Sequence, residues 1–314
     1  MKRQLLQLFS LLLVCLASCQ PALSQPVFTP SAKITTTPIP LPLDLRVKTA
    51  ALPGVIWSFD MNPLDSTIAF ATSKGVLLYD MDTFEYLRML DEGKNTFSLA
   101  WSQDGKRLAV GVINEYQDHG EAGLVIWDTT EWKIVPLPEF QIDLTNERIL
   151  DIAWQPDSRR LALSTDFKGV FVLDAETGKV LSQQAEFAAS VTDIDWSPDG
   201  SRLIANNDMA YGIRRWVAAE NDPVRLFDQR AGNAMHLAWS PDGSRIVSGH
   251  SNGVVCFWTA ATNRCDGLIQ AHRSGVFGLD WSPDGKMLAT SGGVIRLWDT
   301  QTGELLTSFG EDPE

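Results

Sequence analysis

The sequence predicts an all-β fold made of six copies of one four-stranded unit, and three recurring features carry that prediction. The first feature is a tight turn that occurs three times as Ser-Pro-Asp-Gly and three times as a variant of it. The six turns begin at Asn62, Ser102, Gln155, Ser197, Ser240 and Ser282. These starts are 40, 53, 42, 43 and 42 residues apart. Each turn lies between two short apolar runs, which indicates a hairpin.

The second and third features are two columns of residues at fixed distances from each turn. The column directly before the turn is Met61, Trp101, Trp154, Trp196, Trp239 and Trp281. After the turn come a second strand and a third strand, and the third strand ends in a sequence such as Ile-Trp-Asp at residues 126–128. A more polar fourth strand follows, for example over residues 303–309. A period near 42 residues predicts a repeat architecture in which each unit packs only on its neighbours.

These features resemble the WD40 repeat over residues 55 to 314, which implies a β-propeller of six four-stranded WD40-like blades. Seven blades are the alternative, with an irregular one drawn from residues 25 to 50, because residues 43–50 resemble a seventh outer strand. Many WD40 blades carry a hydrogen-bonded His-Ser-Asp-Trp set. In this sequence only the last blade keeps three of its members, His272, Ser291 and Trp298.

The N-terminal residues predict an export signal. Lys2 and Arg3 precede an apolar run from Leu5 to Ala17, and this run is shorter than the roughly twenty residues that a spanning helix needs. It ends in Leu16-Ala17-Ser18-Cys19, which resembles the lipobox of bacterial lipoproteins. We therefore expect residues 1–18 to be removed and Cys19 to be lipidated, which anchors the protein to a membrane of the cell envelope. Cleavage near residues 17 to 22, giving a secreted soluble protein, is the alternative.

Composition divides the rest of the chain. Residues 19–44 are rich in Pro and Thr and nearly uncharged, which predicts an extended linker, and residues 45–314 form the propeller. The formal net charge is −13, and it becomes more negative when Lys2 and Arg3 are removed. An acidic surface repels phosphate backbones, so the charge argues against nucleic acid as a partner.

The first strands predict a candidate binding face. Core-type residues stand five and two positions before the Met/Trp column, and a separation of three breaks the alternation of a strand unless a bulge intervenes. Such a bulge turns the position between them outward, at the face where the first strands begin. The resulting ring is Trp57, Phe97, Leu150, Thr192, Met235 and Phe277. Its mainly apolar composition is typical of an interface, with packing between blades as the alternative.

Two further features are candidates for function or stability. The 53-residue spacing places an insertion near residues 114–123, and its loop residues Glu115, Tyr116, Asp118 and His119 overhang the same face. These residues match no metal-ligand spacing, so no metal is predicted. Cys256 and Cys265 flank the turn between the third and fourth strands of blade 5 and are predicted to lie opposite each other. They form either a disulfide or two partly buried thiols.

The sequence lacks the usual signatures of catalysis. It has four His in no metal-type cluster, no Gly-x-Ser-x-Gly elbow and no phosphate-cradling loop, so no cofactor is predicted. Asp60, Asp195 and Asp280 share one position and are able to approach one another near the axis. We expect a non-enzymatic scaffold that binds another protein through the ring. The alternative is a propeller-type hydrolase or a small-ligand or metal binder using the channel; a relative of the periplasmic propeller of the Tol system is a third reading.

Overall fold

The computed structural model describes residues 54–83, 85–114, 121–145, 147–185, 190–207, 212–217, 224–226, 232–262 and 264–310. Strands in these residues form six antiparallel sheets of four strands each, and no helix occurs in this described part. Within each sheet the strands pair in chain order. The sheets are the blades of a β-propeller, so the predicted six-bladed, all-β fold is confirmed.

Each blade is a continuous piece of the chain. Blades 1 to 3 consist of β1 (Ile56–Met61), β2 (Thr67–Thr72), β3 (Gly75–Asp80), β4 (Glu85–Leu90), β5 (Asn95–Trp101), β6 (Arg107–Asn114), β7 (Glu121–Asp128), β8 (Lys133–Ile134), β9 (Ile149–Trp154), β10 (Arg160–Thr165), β11 (Val170–Asp174) and β12 (Val180–Gln184). Blades 4 to 6 consist of β13 (Ile194–Trp196), β14 (Arg202–Asn207), β15 (Gly212–Val217), β16 (Val224–Leu226), β17 (Ala234–Trp239), β18 (Arg245–His250), β19 (Val254–Thr259), β20 (Arg264–Gln270), β21 (Gly278–Trp281), β22 (Met287–Ser291), β23 (Ile295–Asp299) and β24 (Leu305–Phe309). The first strands of blades 1 to 6 contact one another in succession, so they line the central channel.

The turn between the first and second strands is held by its own side chains. In blade 4 the Gly200 N–H donates to the Ser197 carbonyl over 2.7 Å, and the Ser197 hydroxyl donates to Asp199 over 2.6 Å. Gly200 has a φ of +67°, in the left-handed region that glycine adopts without steric cost. These turns define the bottom face of the propeller; the opposite end, where the first strands begin, is the top face.

The predicted bulge is present in the first strand of four blades. In β1 the register passes from Ile56, paired with Thr72, to Ser58, paired with Ala71, so Trp57 has no partner across the strand pair. The same interruption leaves out Phe97, Leu150 and Met235. In blades 4 and 6 the regular strand begins only after Thr192 and Phe277. The extra residue lets both core positions face inward, as the spacing requires.

The tryptophan column packs between blades. Trp154 of blade 3 is buried against side chains of blade 2, and its indole N–H donates to the Ala100 carbonyl over 2.9 Å. Trp196 makes the equivalent bond of 3.0 Å to the Ala153 carbonyl of blade 3. Apolar clusters of this kind, each mixing residues of two blades, fill the seams from blades 1 and 2 to blades 5 and 6.

The hydrogen-bonded set expected in the last blade is different in detail. His272 and the Trp298 indole both contact the Thr290 hydroxyl, at 2.8 and 2.9 Å, and Ser291 takes no part. The prediction of Ser291 was wrong because Thr290 is the residue whose side chain faces the Trp298 ring.

Blade 5 has a similar set that the sequence comparison missed. The Ser248 hydroxyl accepts a hydrogen bond from the Trp258 indole and contacts the His250 ring, both at 2.8 Å. The His of this set comes from the second strand of the blade, and not from the connection before the first strand.

Cys256 and Cys265 form a disulfide in blade 5, with their Cα atoms 6.1 Å apart. The sequence analysis predicted that the two cysteines lie directly opposite each other, and the structure shows that they do not. A bulge between Phe257 and Trp258 shifts the register, so Cys265 pairs with Trp258 and Cys256 pairs with Leu268. The bridge therefore runs diagonally across the two strands.

Several predictions fall outside the described residues. These are the signal peptide at 1–18, the lipidation site Cys19, the whole linker at 19–44, and the loop residues Glu115, Tyr116, Asp118 and His119. Residues Asn114 and Glu121, which flank that loop, are paired ends of β6 and β7, so part of the insertion lengthens a hairpin. In the part of the chain that is described, no helix has the length and apolarity to cross a membrane.

Candidate functional site

Two aromatic side chains among the predicted ring of bulge residues stack on each other at the top face. Trp57 of blade 1 and Phe97 of blade 2 lie with their ring centroids 4.7 Å apart and their planes 14° from parallel. The Trp57 indole donates to the Asn95 side chain over 3.1 Å, which fixes its orientation. Trp57 nevertheless leaves 46% of its surface exposed. An ordered aromatic surface is thus presented to solvent.

An arginine extends this surface into blade 3. The Arg148 guanidinium lies 5.1 Å from the centre of the Phe97 ring, within cation–π distance. It is held there by two hydrogen bonds to the Asp166 carboxylate, of 2.8 and 2.7 Å. These hydrogen bonds raise the pKa of Arg148, so it stays charged. The next residue, Phe167, is 70% exposed, and its backbone N–H donates to the Glu147 carboxylate.

We call Trp57, Phe97, Arg148 and Phe167 the top-face patch. Sequence reasoning found the first two through the bulge but missed the others. Phe167 did carry a signal, because a large apolar side chain between Asp166 and Lys168 in a turn is unusual. Arg148 carried none, since its position depends on Asp166, eighteen residues further along the chain.

The remaining ring residues are less uniform than the sequence predicted. Leu150 and Met235 are half-buried at their bulges, and Phe277 is half-buried before β21. Met235 and Phe277 both lie against Gly275, where an added Cβ would come within 3.3 Å of each. Thr192 is exposed, and its hydroxyl accepts a hydrogen bond from Asn206. Trp57 is therefore the one large apolar side chain of the ring that is clearly exposed.

Carboxylates line the channel and join consecutive blades. Asp60 accepts the backbone N–H of Trp101 over 2.7 Å, and Asp195 accepts that of Trp239 over 2.8 Å. Two further carboxylates, which the sequence analysis did not single out, make the same kind of bond. Asp151 accepts the N–H of Ile194, and Asp193 that of Leu237, each over 2.8 Å. These side chains therefore hold consecutive blades of the propeller together.

The position of these carboxylates in the channel wall raises their pKa values. Burial raises the pKa of Asp60 to about 6 and that of Asp195 to about 8. Asp280, at the same position in blade 6, is exposed. The negative charge of Asp280 adds to the effect of burial on Asp60, and the charges of Asp193 and Asp280 add to it on Asp195.

One pair of channel carboxylates is coupled most strongly. Burial, followed by the negative charge of Asp193, raises the pKa of Asp151 well above its usual range. His236 lies 3.3 Å from Asp193. No group of three or more His, Cys, Asp or Glu able to hold a metal is found among the described residues.

A groove lies away from both the patch and the channel. It has a volume of about 460 Å³ and lies between the bottom turns of blades 5 and 6, next to Asp242, Arg245 and Trp281. The Arg245 guanidinium donates to the Thr300 carbonyl across this groove. None of the predicted site residues lines it.

These observations define the chain as a β-propeller of consecutive four-stranded blades that carries an ordered aromatic patch on one face. Residues 222–259 and 263–299 match the family described as "WD domain, G-beta repeat". Residues 125–199 match the "Anaphase-promoting complex subunit 4 WD40 domain". Together with the six blades, these matches support a WD40 β-propeller. No curated protein matches the chain.

Solved structures show the same fold at low sequence identity. A structure of the mitotic checkpoint complex matches with a TM-score of 0.70 and 19% identity, covering 94% of this chain and 90% of that one. The computationally designed Ika8 protein matches with a TM-score of 0.65 and 16% identity, covering 83% of this chain and 76% of that one. WD40 propellers are generally non-catalytic scaffolds that bind other proteins.

Proposed function

We propose that this protein is a non-enzymatic scaffold of the bacterial cell envelope that binds a protein partner through the top-face patch. The single observation that carries the proposal is the stacked pair Trp57 and Phe97, with Arg148 held over it by Asp166. Tryptophan and arginine are the residues most enriched at the energetic centres of protein interfaces. Hydrogen bonds to Asn95 and Asp166 hold these side chains in place before binding, which reduces the entropy lost on association.

The channel carboxylates support a scaffold more than a catalytic site. Four of them already accept backbone N–H groups of the following blade, so their oxygens are used in holding the ring together. A general acid or base needs a free oxygen within reach of a substrate proton. The raised pKa values are explained by burial and mutual repulsion, which a structural role also produces.

Replacing the exposed members of the patch tests the proposal. We expect Trp57→Ala with Phe167→Ala to weaken the complex at least about tenfold, because interface aromatics contribute about 2 kcal/mol or more when they are hot spots. Partners are first captured by cross-linking from a membrane preparation and identified by mass spectrometry. The affinity of each purified partner for both proteins is then measured by calorimetry.

The matched control removes equally exposed apolar side chains from outer strands. Tyr86→Ala with Leu306→Ala changes β4 and β24, at the rim of the propeller. We expect this variant to bind as the wild type does, and both variants to keep the wild-type thermal transition. Equal affinity of all three proteins for every captured partner would show that the patch is not the binding surface.

The envelope location is the second part of the proposal. It is supported by the lipobox-like sequence ending at Cys19 and by the disulfide between Cys256 and Cys265, since disulfides persist in oxidising compartments. The Pro/Thr-rich residues that follow Cys19 would hold the propeller away from the membrane surface.

A cysteine substitution tests the anchor. We expect the wild-type chain, expressed in a bacterium, to incorporate labelled palmitate and to partition into detergent, because more than one acyl chain makes anchoring stable. Cys19→Ser is expected to lose the label and to appear in the soluble fraction, whereas Cys15→Ser keeps both properties. Label retained by the Cys19→Ser variant, or absent from the wild type, would refute lipidation at Cys19.

A further inference from the structure

A groove runs along the seam between blades 5 and 6, away from the top-face patch. Its inner part, of about 460 Å³, lies between the bottom turns of the two blades, and its outer part, of about 230 Å³, lies beside β19 and β20. The two parts meet at Arg245, Thr300 and Gln301. We propose that this bottom-seam groove binds a basic segment of a second protein partner, with an arginine in the inner part and an apolar side chain in the outer part.

The bottom of this seam is open because the first residue of the blade 5 turn is short. In blades 1 and 3 that position holds Asn62 and Gln155. Their side-chain amides donate across the seam to the carbonyls of Gly105 and Gly200. Blade 5 has Ser240 there, and its hydroxyl donates to the carboxylate of its own turn. A serine side chain does not reach the next blade, so no amide crosses the seam between blades 5 and 6.

The base of the groove is aromatic and carries no cation. The Arg245 guanidinium donates to a backbone carbonyl of blade 6 over 3.0 Å. Arg107, at the same position of blade 2, makes the equivalent bond to blade 3 and also lies 5.4 Å from the centre of the Trp154 ring. Trp281, which lines the inner part, meets the Phe257 ring edge-on instead. Among the described residues, no cation packs on it.

The indole N–H of Trp281 is buried and has no hydrogen-bond partner among the described residues. In Trp154 and Trp196 the same group donates to a carbonyl of the preceding blade. Trp101 and Trp239 share the lack of a partner, but Trp281 also lines the groove. A buried donor without an acceptor is costly, so a ligand carbonyl at the base of the groove would stabilise this side chain.

The walls of the groove are acidic. Asp242 of blade 5 and Asp284 of blade 6 stand on the two sides of the inner part, and Asp266 lines the outer part. All three residues are exposed. Arg245 is the one cation among the described residues that line the groove, and Lys286 lies next to Asp284 in the chain. Charge complementarity therefore favours a cationic ligand, as does the net charge of −13.

The two inner carboxylates are held in position before any ligand binds. The hydroxyls of Ser240 and Ser282 donate to Asp242 and Asp284 over 2.6 and 2.7 Å. These bonds lower the pKa of both carboxyl groups, so both are ionised at neutral pH. The Oδ2 atom of Asp284 accepts no hydrogen bond among the described residues. A guanidinium is planar and offers paired donors, which suits it to such fixed carboxylates.

Apolar side chains complete both parts of the groove. Pro241 and Pro283 line the inner part and are exposed, so they can pack on the aliphatic stem of an arginine. Phe257, Leu268 and Ile269 line the outer part. In an extended segment, side chains two residues apart point the same way and are separated by about 7 Å. An arginine and an apolar residue with this spacing would occupy the two adjoining parts together.

Titration of the labelled full chain with a short peptide tests the proposal. The probe is acetyl-Ser-Arg-Ser-Leu-Ser-amide, and heteronuclear NMR follows the indole N–H signal of Trp281, assigned by its absence from Trp281→Phe. We expect a saturable shift of this signal. A matched peptide with citrulline, the neutral isostere of arginine, is expected to bind at least about fivefold more weakly. No saturable shift, or equal binding of the two peptides, would overturn the proposal.

Matched charge removals locate the site. Asp242→Asn with Asp284→Asn keeps an acceptor oxygen in each turn but removes both charges, so we expect the affinity for the arginine peptide to fall at least about fivefold. The control, Asp157→Asn with Asp199→Asn, removes two charges from the equivalent turns of blades 3 and 4. It is expected to bind within about twofold of the wild type. Equal losses in the two variants would show that the peptide follows net charge, and would refute the groove.

The test is independent of the top-face patch. Trp57→Ala with Phe167→Ala is expected to bind the peptide as the wild type does, whether or not it loses a partner of the patch. A Trp281 signal that shifts with protein concentration alone would assign the groove to a second copy of the chain and would also overturn the proposal.

Discussion

Trp154→Ala is expected to lower the free energy of unfolding by about 3–5 kcal/mol, and the melting temperature by roughly 6–15 °C. Trp154 is 5% exposed and packs in the seam between blades 2 and 3. Its indole donates to the Ala100 carbonyl, and the Arg107 guanidinium lies 5.4 Å from its ring centre. The substitution removes a large buried apolar side chain and leaves a cavity between blades 2 and 3. The neighbouring blades hold these two in place, so they cannot move together to close the cavity. Thermal unfolding followed by circular dichroism measures the effect.

Two other tryptophan variants separate packing from hydrogen bonding and from exposure. Trp154→Phe keeps most of the apolar surface and loses the indole N–H, so we expect a smaller loss, of about 1–2 kcal/mol. Trp57→Ala removes a ring that is half-exposed at the top face, and its effect should stay within about 1 kcal/mol. A Trp154→Ala protein that melts within experimental error of the wild type would show that the seams are not the main source of stability.

Stability is expected to fall as the pH rises from about 5 to about 8.5. The pKa of Asp60 is raised to about 6 and that of Asp195 to about 8, whereas the unfolded chain titrates near 4. In this window the native protein binds more protons than the unfolded chain, so each rise in pH favours unfolding. Because water reaches the channel, only part of the full effect is expected, a decrease in melting temperature of about 3–6 °C.

The turn carboxylates act at lower pH and in the opposite direction. Side-chain and backbone hydrogen bonds lower the pKa of Asp199 and Asp242, so their contribution is lost only when the pH falls below about 4. Asp195→Asn keeps an oxygen that accepts the Trp239 N–H but does not titrate. We therefore expect the melting temperature of this variant to fall less than that of the wild type between pH 5 and 8.5. A melting temperature that rises with pH across this window, or a slope unchanged by Asp195→Asn, would contradict the assignment.

The blades themselves were predictable because their signals are local and repeated. The Ser-Pro-Asp-Gly turns, the Met/Trp column and the bulge in the first strand each depend on residues within about ten positions of one another. A bulge at Trp57 or Phe97, for example, follows from the spacing of two core positions on one strand. Six copies in phase made these short signals unambiguous, even though each copy taken alone is weak.

Contacts that depend on how the blades pack on one another could not be predicted from the sequence in this way. Arg148 stands over Phe97, and Asp151 accepts the backbone N–H of Ile194, because neighbouring blades bring these residues together. The register of the third and fourth strands of blade 5 was wrong by a bulge, and the hydroxyl partner of Trp298 was Thr290 instead of Ser291. Such details follow from side-chain packing across strands and blades, which periodicity does not specify.

The amino-acid sequence alone was sufficient for the four-stranded repeat, the position of the bulge in the first strands and the acidic character of the chain, whereas the choice between six and seven blades came from the structure. The three-dimensional structure was needed to select the aromatic side of the ring and to reveal the carboxylates that join the blades. It was also needed to show that, among the described residues, the apolar clusters of blades 6 and 1 are separate. The physical reason is the range of the interactions. Strands and turns are determined by neighbours in the chain, whereas many seam contacts join residues more than forty positions apart, such as Asp60 and Trp101, which come together only when the blades assemble.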